Sequence, residues 1–357
     1  MAFASASGYG NLPNGNFSSV IYSKKVQLAF RKKAISGDIT NSDYFGEISA
    51  QGDTVRIIKE PEISVSSYAR GTQVNAQDLD DEDFSLVIDK ANYFAFKIDD
   101  IEEAHSHVNF MDLATNRAAY RLADQMDQEV LGYLSGYKQS ALHASADTVN
   151  DQVNGTKAVD TAGSDELLSS MKLKKGDFGN ITTASAGDHS IPVAARLPGA
   201  TALPTAYASP VMLINRMGRL LDQQNVDKDG RWLVIDPVMM EVLSDEDSRF
   251  LNADFGTSGG LRNGLVINNW NGFRVYVSNN LPSVGTGPAT TGTANQNANY
   301  GVIVAGHDSA VATAEQINKT ETYRDPDSFA DIVRGMHLYG RKILRPEALV
   351  NAKYNLA

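Results

Sequence analysis

The chain has 357 residues and no cysteine. Disulfide frameworks, zinc–thiolate sites and thiol nucleophiles are therefore excluded. Such a protein is made in a reducing cytosol or is indifferent to redox state, which suits a shell or scaffold component. No apolar run approaches the roughly 20 residues needed to span a bilayer, so no membrane partner is expected. Met1 to Asn16 has neither a basic stretch nor an apolar core, and no secretory signal is expected there. Its small polar residues predict a mobile arm. Basic charge is also scarce. The 32 Lys and Arg against 43 Asp and Glu leave a net charge of −11, which does not attract phosphate backbones. One local exception is Lys24-Lys25 with Arg31-Lys32-Lys33. It is either a solvated helix face or a contact for an acidic partner or a packaged polyanion.

Signatures of catalysis are sparse too. There is no Walker loop and no Gly-x-Gly-x-x-Gly after a strand. His105-Ser106-His107 follows Glu102-Glu103. Residues at i and i+2 point about 200° apart on a helix, so the pair could share a metal only on extended chain. Asp227-Lys228-Asp229-Gly230 resembles the start of a calcium loop but lacks the later bidentate Glu, and predicts a plain turn. No catalytic residue, metal or cofactor is expected.

What is present is a globular composition, 42% hydrophobic and 21% charged, long enough for about two domains. Its clearest element is a long helix. Asp112 is a plausible N-cap, and Ala119, Leu122, Ala123, Met126, Val130, Leu131 and Leu134 recur at spacings of three and four. Arg117, Arg121, Asp124, Asp127 and Glu129 fall mainly off that stripe, and Gly132 or Gly136 suits termination.

Upstream, Phe17 to Ser36 predicts a short helix broken at Gly37-Asp38. Val55 and Ile57, then Ile63 and Val65, alternate as short strands. Residues 51–82 predict a long hairpin-like loop that projects from the body, with an acidic tip at Asp78, Asp80, Asp81, Glu82 and Asp83. Its small apolar surface needs a neighbour to hold it. Phe84, Leu86 and Ile88 then alternate, Asp89 to Asn92 predict a turn, and Phe94, Phe96 and Ile98 return as a paired strand.

Residues 138–208 are rich in Ala, Ser, Thr, Gly and Asp and have little periodicity, apart from a possible helix over Asp165 to Lys174. Ser209-Pro210 opens a helix carrying Leu213, Ile214, Met217, Leu220 and Leu221. Trp232 to Ile235 predict a buried strand, and Asp236-Pro237 opens a helix through Leu243. Gly264 to Ile267 and Gly272 to Val277 predict strands joined across Asn268 to Asn271. Ser283 to Asn299 is a low-complexity loop. Gly301 to Gly306, Ala310 to Ala314 and Ala330 to Leu344 are extended, and Arg345 to Leu349 end the last run.

The order of these parts resembles the major capsid proteins of tailed bacteriophages. The resemblance rests on Gly52 to Ile57, Leu86 to Asp89 with Tyr93 to Asp100, Gly230 to Pro237, Gly272 to Pro282 and Tyr339 to Leu349. It covers nearly all of residues 17–357 and matches least over 138–208. It implies an α+β, HK97-like capsid fold with an N-terminal arm (1–35) and a peripheral domain (36–50 and 83–137) carrying the long spine helix. It further implies an E-loop (51–82), an axial domain (138–299, with 138–208 as an insertion-like part) and returning strands (300–357). The implied function is a non-enzymatic major capsid protein. Its copies would form hexamers and pentamers of an icosahedral shell around double-stranded phage DNA, without sequence-specific binding.

Portal and scaffolding proteins, and a possible cement protein, would be its partners. Its place would be the virion, after assembly in the host cytoplasm. Candidate subunit-interface residues are Arg70, the run Asp78, Asp80, Asp81, Glu82 and Asp83, and Arg341 and Arg345. Two other readings stay open: an encapsulin-like nanocompartment shell, and a soluble metal-dependent hydrolase built on His105 and His107.

Overall fold

A computed structural model describes residues 34–43, 54–58, 63–71, 73, 76, 83–99, 110–136, 167–178, 191–193, 207–243, 272–284 and 300–356. Their strands are β1 (Thr54–Ile58), β2 (Asp83–Val87), β3 (Lys90–Asp99), β4 (Lys172–Leu173), β5 (Ile191–Val193) and β6 (Arg231–Ile235). They continue with β7 (Arg274–Val277), β8 (Ser283–Val284), β9 (Tyr300–His307), β10 (Val311–Arg324), β11 (Ala330–Ile343) and β12 (Leu349–Leu356).

Seven of these strands form one mixed sheet. Its main order is β4-β12-β9-β6-β7, with β5 also on β12 and β8 on β9. Helices cover one face and the long helix the other, so the central strands read as continuous apolar runs. Along β6, Leu233 and Ile235 meet Leu213, Ile214, Met217 and Leu221 of the helix Pro210–Gln223 and Met239 of the helix Pro237–Leu243. The alternate residues Trp232 and Val234 pack with Val130, Leu131 and Leu134 of the long helix. β9 divides in the same way, Ile303 and Ala305 to one side and Val302 and Val304 to the other.

The second sheet has three antiparallel strands in the order β10-β11-β3. It is a ribbon covered on one face only. Val333, Gly335, His337, Tyr339, Arg341 and Ile343 of β11 are buried, whereas Arg334 and Met336 between them are exposed. Gly335 leaves room for the Phe94 ring, which would lie 2.4 Å from a Cβ there. Phe94 is the direct cross-strand partner of Gly335 and covers it, as an aromatic commonly does for a strand glycine. β1 and β2 form a separate antiparallel pair, joined to this body through Leu86, Ile88, Ala312 and Ala314.

The long helix, Phe110–Ser135, links the two sheets. Its 26 residues span about 39 Å at roughly 1.5 Å per residue. It stops at Gly136, whose φ of 68° suits a glycine after a helix end.

Several expectations change here. The helix begins before Asp112, so Asp112 lies inside it and is not its cap. Ala119 and Ala123 of the predicted stripe are exposed, whereas Asp124, Asp127 and Glu129 are buried. The acids face inward because the C-terminal half of the helix enters the core, where they meet donors from other elements. β2 and β3 are consecutive but not paired with one another. β2 takes β1 and β3 takes β11, and the expected turn at Asp89 to Asn92 is mostly strand.

Gly37 and Asp38 lie within the short helix Ser36–Ile39 rather than breaking one. Ile63 and Val65 lie outside any strand. Of the helix expected over Asp165 to Lys174, the described residues 167–174 are not α-helical. Within them lie a 3-10 turn, Ser169–Met171, and the short strand β4. β12 was not expected at all, yet it sits centrally in the large sheet. The arm Met1 to Asn16, the basic cluster, Gly264 to Ile267 and residues 285–299 lie outside the described residues.

Candidate subunit interface

Exposed large hydrophobic side chains mark the candidate surface. Among the described residues they fall into two groups. One follows β1 and the segment after it: Ile58, Ile63, Val65 and Tyr68, with Val87 of β2 opposite Thr54 at the other end of the strand pair. Val65 is 96% exposed, and every residue from 63 to 71 is exposed. The base of this strap is fixed. Val55 and Ile57 are half-buried against the Leu86 cluster, and a Cβ at Gly340 would lie 2.4 Å from the Val87 carbonyl oxygen.

The second group lies on the uncovered face of the three-stranded sheet. Tyr93, 80% exposed, is directly opposite Met336, which is opposite Lys319 on the other side. One step along, Arg334 stands opposite Glu321 and donates to its carboxylate at 2.9 Å. The same guanidinium lies 5.0 Å from the Tyr323 ring centroid. Lys319 and Arg334 together hold the Glu321 carboxyl below its ordinary value. This face is a strip of aromatic and thioether surface lined with paired charges.

The strip ends at the β10–β11 turn. The Lys97 ammonium donates to Asp325 at 2.8 Å and also to Ser328, and the Asp327 N–H donates to Asp325 at 3.1 Å. The Lys97 and Ser328 contacts keep the Asp325 carboxyl well below the usual range. On this fixed turn Phe329 is 79% exposed. A rigid turn holding out a phenyl ring suits a surface that another protein covers.

Of the residues expected at an interface, Arg70 is exposed beside Gly71, whose φ of 93° turns the chain. Asp83 pairs through its backbone with Ile58, and its side chain is not described. Asp78, Asp80, Asp81 and Glu82 lie outside the described residues. Arg345 is exposed, with its N–H on the Ala310 carbonyl at 3.1 Å. Arg341 is turned inward. It is 8% exposed and lies 4.3 Å from the centroid of the Tyr133 ring, so it serves packing within the chain. The aromatic strip itself was missed, because alternation shows that a strand has two faces but not which one stays uncovered.

No family model and no curated protein matches the sequence. Solved structures do. A chain from a structure of Mycobacterium phage Che8 superposes with a TM-score of 0.64 at 24% identity, over 96% of this chain and 97% of that one. One from the capsid of cyanophage P-SCSP1u gives 0.61 at 20% identity, over 96% and 93%. One from the capsid of cyanophage Pam1 gives 0.64 at 12% identity, over 95% and 96%.

The chain shares their fold. This is the α+β, HK97-like capsid fold, carried across nearly the whole length at low identity. Within that fold, no group of three or more His, Asp or Glu suited to a metal occurs among the described residues. His105 and His107 lie outside them, as does Ser258, which sits in a Gly-x-Ser-x-Gly spacing at Gly256 to Gly260. His307 contacts Ser309 Oγ at 2.8 Å through Nδ1 and the Asp229 carbonyl at 2.8 Å through Nε2. It ties the end of β9 to the turn at Asp229, leaving neither ring nitrogen open for a substrate.

Proposed function

We propose that this chain is a non-enzymatic major capsid protein whose copies tile the icosahedral head of a tailed phage around double-stranded DNA. The full-length match to capsid structures carries this reading. In it, residues 1–35 are the N-terminal arm, 36–50 and 83–137 the peripheral domain, and 51–82 the E-loop. Residues 138–299 form the axial domain, and 300–357 return through both domains. Hexamers and pentamers form by heterologous contact, in which one patch of a copy meets a different patch of the next.

The two exposed apolar groups supply such a pair of patches. The strap around Ile58, Ile63, Val65 and Tyr68 would lie on a neighbouring copy's body, with Arg70, Arg345 and the acidic run Asp78 to Asp83 as interfacial charges. Scaffolding and portal proteins, and a possible cement protein, are the further partners of this reading. Assembly takes place in the host cytoplasm.

The test is expression of the full chain alone and with its phage's scaffolding protein, followed by sedimentation, negative-stain imaging and analysis of nuclease-protected nucleic acid. Closed shells of uniform size, with protected DNA in native particles, are expected. A chain that stays monomeric under all these conditions contradicts the proposal. Native shells filled with protein instead of DNA would place it among nanocompartments.

A further inference from the structure

Asp127 is fully buried on the long helix and accepts hydrogen bonds from two distant stretches of chain. One oxygen takes the backbone N–H groups of Ile35 and Ser36, both at 2.8 Å. The other takes the Asn280 side-chain amide at 2.6 Å. The helix Ser36–Ile39 has no side-chain cap of its own. A carboxylate from another element therefore satisfies donors at its start, which is favourable both as a charge-assisted bond and at a helix N-terminus.

Each stretch belongs to a different part of the fold. After that short helix the chain runs along β10, where Asn41 bridges Ala312 and Thr40 Oγ1 meets Thr313 Oγ1 at 2.8 Å. Asn280 sits in the turn Ser278 to Leu281 that follows β7, the edge strand of the seven-stranded sheet. Its backbone N–H is fixed on Ser278 Oγ at 3.1 Å, so its amide is aimed before it meets Asp127. One carboxylate thus joins the N-terminal stretch of the small-sheet body, the helix and the edge of the large sheet.

We propose that Asp127 is a pin that sets where the N-terminal segment leaves the body and how the two sheets sit on one another. As a positioning residue it controls the curvature with which copies meet. The part concerning curvature rests on the shell-forming function above. The part concerning the pin does not.

The bond to Asn280 can be broken and remade. Asn280→Asp sets two carboxylates against each other. Adding Asp127→Asn returns a donor to the gap while keeping an oxygen for Ile35 and Ser36. Asn280→Ala deletes the bond without repulsion and serves if Asn280→Asp does not fold. Hydrogen exchange is measured on the unassembled full chain, beside negative-stain images of assembled material. Asn280→Asp should speed exchange about tenfold or more at residues 34–41 as well as at 272–284, with Asn280→Ala acting in the same direction more weakly.

The double variant should restore both regions, and round shells with them. The crossover between sequence-distant sites is what a local packing role would not produce. Unchanged exchange at 34–41 in both single variants, or a double variant no better than Asn280→Asp, overturns the pin. Altered exchange with uniform wild-type-like shells overturns the control of curvature. If the wild type forms no shells at all, the function fails while the exchange data still decide the pin.

Discussion

The two sheets differ in how many of their faces the chain itself covers. The seven-stranded sheet is closed on both sides. Residues of β6, and of β9 from Gly301 to Gly306, are buried on whichever face they point to, and no large hydrophobic from that sheet is exposed among the described residues. The three-stranded sheet is closed on one side, and it and the strap beside it carry the exposed apolar groups. A fully covered sheet sets stability from within. A half-covered one leaves apolar area that only another molecule can remove from water. One chain therefore holds a part closed from within and a part that the proposed assembly would complete.

Substitutions should separate the two parts. Trp232→Ala empties a fully buried site between the large sheet and the long helix. It should cost about 3–5 kcal/mol and lower the melting temperature of the unassembled chain before any effect on shells can be seen. Gly301→Ala comes next. A Cβ there would lie 2.5 Å from Tyr354 Oη and 2.6 Å from Asp236 Oδ2. Both groups are buried and bonded to each other, so neither can yield easily, and about 1–3 kcal/mol is expected in denaturant unfolding.

The same pair gives a pH dependence. Burial raises the Asp236 carboxyl above its ordinary 3.8, against the smaller opposing pull of the Tyr354 and Met239 bonds. A carboxyl raised by folding binds its proton more tightly in the folded state. Its contribution is therefore full below the unfolded value and is lost as pH rises through the folded one. Asp236→Asn keeps the acceptor for the Met239 N–H and should flatten that part of the stability–pH curve. Asp236→Ala strands both donors and should cost about 1–3 kcal/mol.

On the open face the expected pattern reverses. Tyr93→Ser with Met336→Ser should change unassembled stability by only about 0.5 kcal/mol each, yet impair assembly seen by sedimentation. Arg70→Glu should shift the unassembled chain by about 0–1 kcal/mol and, under the proposed assembly, misshape shells, because its contact would recur in every copy. Unfolding of the isolated chain by Arg70→Glu would place the strap in the core and erase the contrast.

Legibility followed the same division. The strands at Trp232 to Ile235 and Gly301 to Gly306 and the helix from Pro210 could be read from sequence, because continuous or periodic apolar residues there match what the fold buries. β12 could not be read, since Asn351 and Lys353 interrupt its pattern. Both are buried, and Asn351 donates to the Ser135 carbonyl at the end of the long helix at 3.0 Å. Asp127 and Glu129 look like solvated helix charges until their distant donors, on Ile35, Ser36, Asn280 and Tyr339, are brought to them. The alternation of Phe94, Phe96 and Ile98 marked β3 correctly but carried nothing about its partner. β11 lies more than two hundred residues away, and pairing at that distance leaves no local trace.

The most direct test is hydroxyl-radical footprinting of the unassembled chain beside purified particles. We expect Tyr68, Tyr93, Phe329 and Met336 to be labelled in the free chain and protected in particles, with Trp232 and Tyr354 unlabelled in both. Equal labelling of Tyr68, Tyr93, Phe329 and Met336 in free and assembled protein would contradict the claim that neighbouring copies complete the half-covered sheet.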